Sequence, residues 1–239
     1  MSYDTHLTSK KAAMSYEKGL TDKKHYYLDL MHSEESRILR QEIEQLKIKK
    51  CLDFACGTGR ITEIIDELCT DPRAIDISKE AITIAKTKCT KTKFYCGNYL
   101  QKAFPMQDLD AITSFRFLLN TPHREDAIKI FSKSIKKGGY LIFDIHRNLT
   151  SFRGAIVQLK HLFGKDQNKN TLSHYAVNNM LKKNGFKIRD YYGIGVLPHV
   201  GNFTIFPKKI NTKLEQFITK NNLLRLLCFD VVYIAEKVS

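Results

Sequence analysis

The chain has 239 residues, 43% hydrophobic and 27% charged, with 39 Lys and Arg against 25 Asp and Glu and a formal net charge of +14. That length suits one domain, and that apolar content supplies a core, which excludes global disorder. The charge admits nucleic acid, an anionic membrane surface or an acidic substrate as partner, although 29 Lys against 10 Arg reads more as a lysine-rich surface than as the arginine forks of phosphate and base readout.

The N-terminus, MSYDTHLTSKK, has no apolar core segment, so no signal peptide is expected. From Ser33 to Lys47, Ile38, Leu39, Ile43 and Leu46 recur at helical spacing, with Ser33 as candidate N-cap. From Lys50 the chain alternates. Strands are expected at Cys51–Ala55, Arg73–Ile77, Lys93–Cys96, Leu109–Phe115 and Tyr140–Ile145. Helices are expected between them at Arg60–Leu68, Lys79–Lys88 and Glu125–Lys136, the last closed by Gly138-Gly139. Short strands alternating with helices predict an α/β fold with a doubly wound parallel sheet.

Beyond residue 147 the rhythm changes. Leu149–Phe163 reads as an inserted helix and Gly164–Asn170 as a polar loop. Helices follow at Ser173–Lys183 and Asn211–Lys220, with strands at Lys187–Leu197 and Leu227–Glu236. No run approaches the ~18 apolar residues of a membrane span. The six cysteines form no CxxC pair, so neither zinc nor a redox motif is indicated, and reduced thiols in a cytoplasmic protein are expected. The expected organisation is a single domain over 1–239. Within it, 1–45 forms an N-terminal lid, 46–146 a binding core, 147–226 a substrate cap with closing elements, and 227–239 the final strand.

The informative segment is KCLDFACGTGR, residues 50–60. An apolar strand runs into Asp53-Phe54-Ala55-Cys56-Gly57-Thr58-Gly59. Small residues let the backbone turn tightly, and the following helix aims free N–H groups at whatever occupies the turn. Asp53 stands ready to accept hydrogen bonds from a cationic group. The dinucleotide pattern fails, because Thr62 stands where its third glycine belongs. Further features fall at successive strand ends, where open α/β sheets bind ligands. Asp76, with Ile77 after it, ends the second strand and can accept from two ribose hydroxyls. Asn98 and Tyr99 after the third strand offer an amide and a flat face to a purine. Ser114, Phe115 and Arg116 follow the fourth.

These motifs resemble those of class I S-adenosylmethionine-dependent methyltransferases. LDFACGTGR is similar to their first motif, with Ala55 in place of the usual first glycine, and Asp76 matches their ribose-binding acid. Asn98 stands where an Asp is usual. DLDAITSFRFLLN and KKGGYLIFDIH resemble the fourth- and fifth-strand motifs, and AAMSYEKG resembles a segment that folds over the cofactor, with Tyr16 as its aromatic. The resemblance implies a Rossmann-like, mostly parallel seven-stranded sheet whose last strand is antiparallel, with a helical lid and cap. It implies S-adenosylmethionine as cofactor, bound by Tyr16, Asp53, Ala55, Cys56, Gly57, Thr58, Gly59, Asp76, Ile77, Asn98, Tyr99, Ser114 and Phe115.

In-line methyl transfer to a hydroxyl needs alignment and a base. His146, directly after the fifth strand, is the leading candidate; the alternative is a loop histidine. His123 before the fourth-strand helix and His199 in the cap are further candidates. Arg116 either binds an acidic group of the substrate or pairs with an acid in the site, and Asp144 reads as a structural acid. The [DNS]-P-P-[YFW] motif of amino-methylating nucleic-acid enzymes is absent, as is any Pro-Cys dipeptide. Clustered acids for a metal are not evident, so no metal is expected. A small-molecule acceptor, partly apolar or anionic, is favoured, with nucleic acid disfavoured. An RNA or protein methyltransferase using the basic C-terminal third, and a SAM-binding protein without catalysis, stay open.

Overall fold

The computed structural model describes residues 14–15, 26–101, 106–146, 148–151, 154, 159, 171–196, 199–200, 203–204, 207–220 and 224–239. The first long helix, α1 (Tyr26–Gln45), buries Leu30, Met31, Ile38, Leu39 and Ile43 along one stripe. It begins seven residues before Ser33, whose hydroxyl donates to the Leu30 carbonyl within the helix instead of capping it.

Alternation follows as expected. The elements are β1 (Lys50–Phe54), α2 (Arg60–Leu68), β2 (Asp71–Asp76), α3 (Lys79–Ala85), β3 (Lys93–Cys96), β4 (Leu109–Ser114), α4 (Arg124–Ser134) and β5 (Ile135–His146). Ser78 caps α3 by accepting from the Ala81 N–H at 3.0 Å. After these come α5 (His174–Lys183), β6 (Phe186–Ile194), a small hairpin of β7 (His199–Val200) and β8 (Phe203–Thr204), α6 (Lys208–Lys220) and β9 (Asp230–Lys237). The expected inserted helix at 149–163 and polar loop at 164–170 lie, for most of their length, outside the described residues.

Seven strands form one sheet in the order β3-β2-β1-β4-β5-β9-β6. β1 to β5 pair in parallel, and β9 runs antiparallel to both of its neighbours. Period-2 alternation sends Leu141 and Phe143 to one face with Leu52, Phe131 and Tyr233, and Ile142 to the other with Ile38, Cys51, Ile65 and Val232. Helices cover both faces, so every strand end that binds anything lies along one rim.

The Ser33 cap is not the only expectation that fails. Gly138-Gly139 does not close a helix: α4 ends at Ser134 and β5 starts at Ile135. The glycines sit where the β4–β5 register shifts. A Cβ on Gly139 would come within 2.8 Å of the Asp110 carbonyl, so close strand approach demands glycine there.

Candidate active site

Three positive φ angles within five residues turn the chain from β1 into α2: Ala55 at 61°, Gly57 at 54° and Gly59 at 92°. Gly59 opens α2 without any side-chain cap, leaving the first-turn N–H groups to a ligand. A Cβ on Gly59 would meet the Ala85 Cβ at 2.9 Å, so the turn also packs tightly on α3.

Asp53 is turned inward. It accepts from the Thr62 hydroxyl at 2.6 Å and the Thr113 hydroxyl at 3.0 Å, so threonines occupy the place expected for a cation. Burial pushes its carboxyl up to about 7. Thr62, which breaks the dinucleotide pattern, is what holds it. Asp76 accepts from the Gly57 N–H and the Ser78 N–H, both at 2.8 Å, and so ties the turn to the end of β2. Burial raises its carboxyl, opposed by those N–H groups. Cys56 is buried against Ala74 and Ile82, and burial raises its thiol well above the ordinary range, which makes it packing and not a nucleophile. The Thr58 hydroxyl is buried with no partner among the described residues. Ile77 is exposed, the Asn98 amide oxygen accepts from the Leu100 N–H at 3.2 Å, and Tyr99 packs against the core edge. Tyr16 lies outside the described residues.

Across the rim, β4 ends at Ser114, fully buried, its hydroxyl likewise without a partner among the described residues. Phe115 packs into the core beneath α1. Arg116, at a φ of 60°, is the centre of a buried charge network. Its N–H donates to Asp144 at 2.5 Å. Its guanidinium reaches Glu35 at 2.8 Å, Asp144 at 3.2 Å and Asp230 at 3.8 Å. Glu35, 0% exposed, also pairs with Arg60 at 2.7 Å, and the Tyr27 hydroxyl donates to Asp230 at 2.5 Å. Burial alone would lower the Arg116 pKa, but the three acids hold it well above its ordinary value. Burial raises Asp144, but Arg116, His146 and the Arg116 N–H together outweigh it and leave it lowered; Asp230 stays raised by burial. Of the two roles open to Arg116, pairing with acids is the one observed.

His146 ends β5, mostly buried, with Nδ1 3.8 Å from the Asp144 carboxylate. His123 lies instead on the exposed start of α4, 3.9 Å from Asp126 of the same helix. The backbone of His199 pairs with Thr204 in the small hairpin. Among the described residues no group of three His, Cys, Asp or Glu is arranged to hold a metal, and no helix is long and apolar enough to cross a membrane.

Sequence reasoning missed Glu35, Arg60, Asp230 and Tyr27. A signal existed for two of them. Glu35 falls on the apolar stripe of α1, between Met31 and the pair Ile38 and Leu39, and Asp230 opens the apolar run VVYIA. A charged residue in a core position asks for a buried partner.

A family model described as a methyltransferase domain matches residues 52–143. A ubiquinone biosynthesis O-methyltransferase of Aliivibrio fischeri is 29% identical over 120 residues, covering 48% of this chain and 51% of the relative. One from Coxiella burnetii is 28% identical over 141 residues, covering 57% and 60%. The chain thus spans about half the length of the curated relatives it matches. Among solved structures, magnesium protoporphyrin IX methyltransferase from Synechocystis with bound SAH superposes with a TM-score of 0.65 at 12% identity, covering 98% of this chain and 97% of that one. A SAM-dependent methyltransferase from Thermotoga maritima, described as a possible histamine N-methyltransferase, gives 0.59 at 17% identity, covering 98% and 100%.

Proposed function

We propose that the chain is a class I S-adenosylmethionine-dependent methyltransferase that methylates a hydroxyl or amine of a small molecule, with His146 as general base. The observation that carries this reading is His146 itself. It ends β5 on the rim that holds the glycine turn, with the Asp144 carboxylate 3.8 Å behind its Nδ1. The carboxylate faces one ring nitrogen from beyond direct hydrogen-bond distance, which leaves the other nitrogen for the acceptor. His123, exposed and beside an acid of its own helix, lacks that support.

The turn fits the cofactor. The first-turn N–H groups of α2, which no side chain caps, the Thr58 hydroxyl, without a partner among the described residues, and the Asp76 carboxylate lie together at the ends of β1 and β2. Residues 55–59, Asp76, Ile77, Asn98, Tyr99 and Ser114 would hold it, with Asp53 and Phe115 supporting from beneath and Tyr16 closing over. When bound, S-adenosylmethionine supplies an electrophilic methyl group on a sulfonium. Arg116 is committed to Glu35, Asp144 and Asp230, so it steadies the acceptor wall and does not bind a substrate anion. The relatives named for ubiquinone biosynthesis favour a small hydroxyl acceptor. The chain acts as a single cytoplasmic domain in which 147–226 supplies a substrate cap together with the closing α5 and β6 of the sheet, and the lid expected over 1–45 is left to the residues before α1, which itself packs into the core.

The test is His146→Ala, assayed by SAH release with a panel of phenolic and amine acceptors and by SAM titration. Turnover falls at least about tenfold while SAM affinity holds, as general-base loss requires. Turnover equal to the wild type removes His146 from the mechanism.

A further inference from the structure

Helix α6 (Lys208–Lys220) is built inside out. Asn211 and Glu215, one turn apart, are both 2% exposed. Glu215 accepts from the Val196 N–H at 3.1 Å just beyond β6, and the Gln216 amide donates to Glu34 of α1 at 3.1 Å. Polar side chains therefore hold the helix to the body of the protein. Two of its apolar residues face the other way: Ile210 is 51% and Phe217 66% exposed, while Leu214 and Ile218 are half-buried. Seven residues apart, they share one face, with exposed Lys213 between them and half-buried Leu214 beside them. The short 3₁₀ turn Arg225–Leu227 packs beside α6 and adds Leu227, also exposed. Lys209 and Lys213 line an open hollow of about 420 Å³ next to Ile210 and Thr212.

We propose that this face docks on an anionic phospholipid bilayer. The charge pattern selects that occupant. The helix sequence holds four lysines and one acid, and the acid, Glu215, is buried, so the outer face presents only positive charge. A second copy of the chain would set Lys209 and Lys213 against like charge. A nucleic-acid strand would stack on one aromatic and leave Ile210 and Leu227 in water. A bilayer answers both features: the apolar side chains enter the headgroup–acyl boundary, and the lysine stems reach up to phosphate. This gives the +8 surplus over residues 160–239 a physical use.

The experiment floats the full chain with phosphatidylcholine vesicles carrying or lacking about 30% phosphatidylglycerol, at about 0.15 M salt. The protein floats with the anionic vesicles and not with the neutral ones. The double variant I210S/F217S lowers the partition coefficient at least about tenfold, and K209E/K213E abolishes the preference for anionic lipid. All four side chains are exposed, so both variants keep the wild-type melting temperature and SAM affinity. Equal flotation with neutral and anionic vesicles, or unchanged flotation of I210S/F217S, overturns the proposal. So does a dimer in light scattering that F217S dissolves, which assigns the face to a second copy, or tighter retention on bulk tRNA than on anionic vesicles.

Discussion

The two halves of the binding rim are made differently. At the ends of β1 and β2 the work is done by backbone: positive φ at residues 55, 57 and 59, and amides donated to Asp76 from residues 57 and 78. At the ends of β4, β5 and β9 it is done by side-chain charge, drawn from residues 27, 35, 60, 116, 144 and 230. The first half is local and survives by geometry. The second joins segments up to 203 residues apart and survives only while its charges balance.

The largest expected difference comes from breaking that balance. Arg116→Ala leaves Glu35, Asp144 and Asp230 buried without their common partner. Losing one member of a buried ion pair costs about 3–5 kcal/mol. Urea unfolding of the variant therefore shows a loss in that range, together with loosening of α1, which Glu35 pins to Arg60 as well. A loss below about 1 kcal/mol would mean that the acids reach water and that the network is an exposed one.

Both halves also contain a non-glycine residue in the left-handed region, Ala55 at 61° and Arg116 at 60°. A left-handed L-residue costs about 1–2 kcal/mol, and glycine relieves most of it at some cost in unfolded-chain entropy. Ala55→Gly therefore stabilises the protein by about 0.5–1 kcal/mol, a rise of roughly 1–4 °C in Tm, net of the contact its methyl group makes at the edge of the core. Arg116→Gly relieves the same strain and still destabilises, since the guanidinium is lost. If calorimetry gave both substitutions the same sign, the contrast between a backbone-built half and a charge-built half would fail.

What the sequence disclosed follows the same division. The glycine spacing after β1, the acid ending β2 and the alternation of strands and helices are local patterns, and the doubly wound α/β fold could be read from them, while the antiparallel last strand came only with the family resemblance they carry. The start of α1 could not, since residues 26–32 (YYLDLMH) carry no N-cap signal, and Gly138-Gly139 serves a strand register where a helix C-cap and a bulge look alike in sequence. Glu35 and Asp230 were visible only as charged residues in apolar patterns, and nothing local says that one arginine, 81 residues from the first and 114 from the second, joins them.

A further comparison runs through pH, because two groups, Asp53 beneath the turn and His32 on α1, are displaced in opposite senses. Burial lifts Asp53 beneath the turn from 3.8 to about 7. Burial, with help from Arg60 and Arg116, lowers His32 on α1 from 6.5 to about 4. The folded protein keeps Asp53 protonated after the unfolded chain has released that proton, so its contribution is complete below about pH 4 and is lost as pH rises towards 7. It keeps His32 neutral after the unfolded chain has taken up a proton, so that contribution is complete above about pH 6.5 and is lost as pH falls towards 4. Between those limits the two slopes oppose each other, each at most about 1.4 kcal/mol per pH unit. Removing one exposes the other. Relative to wild type, Asp53→Asn gains stability as pH rises across this window, and His32→Gln gains it as pH falls. The remaining carboxylates titrate alike in all three proteins and cancel from these differences. Urea midpoints measured across the window test this directly, and differences of the same sign in both variants would show that Asp53 and His32 do not carry opposite proton linkage.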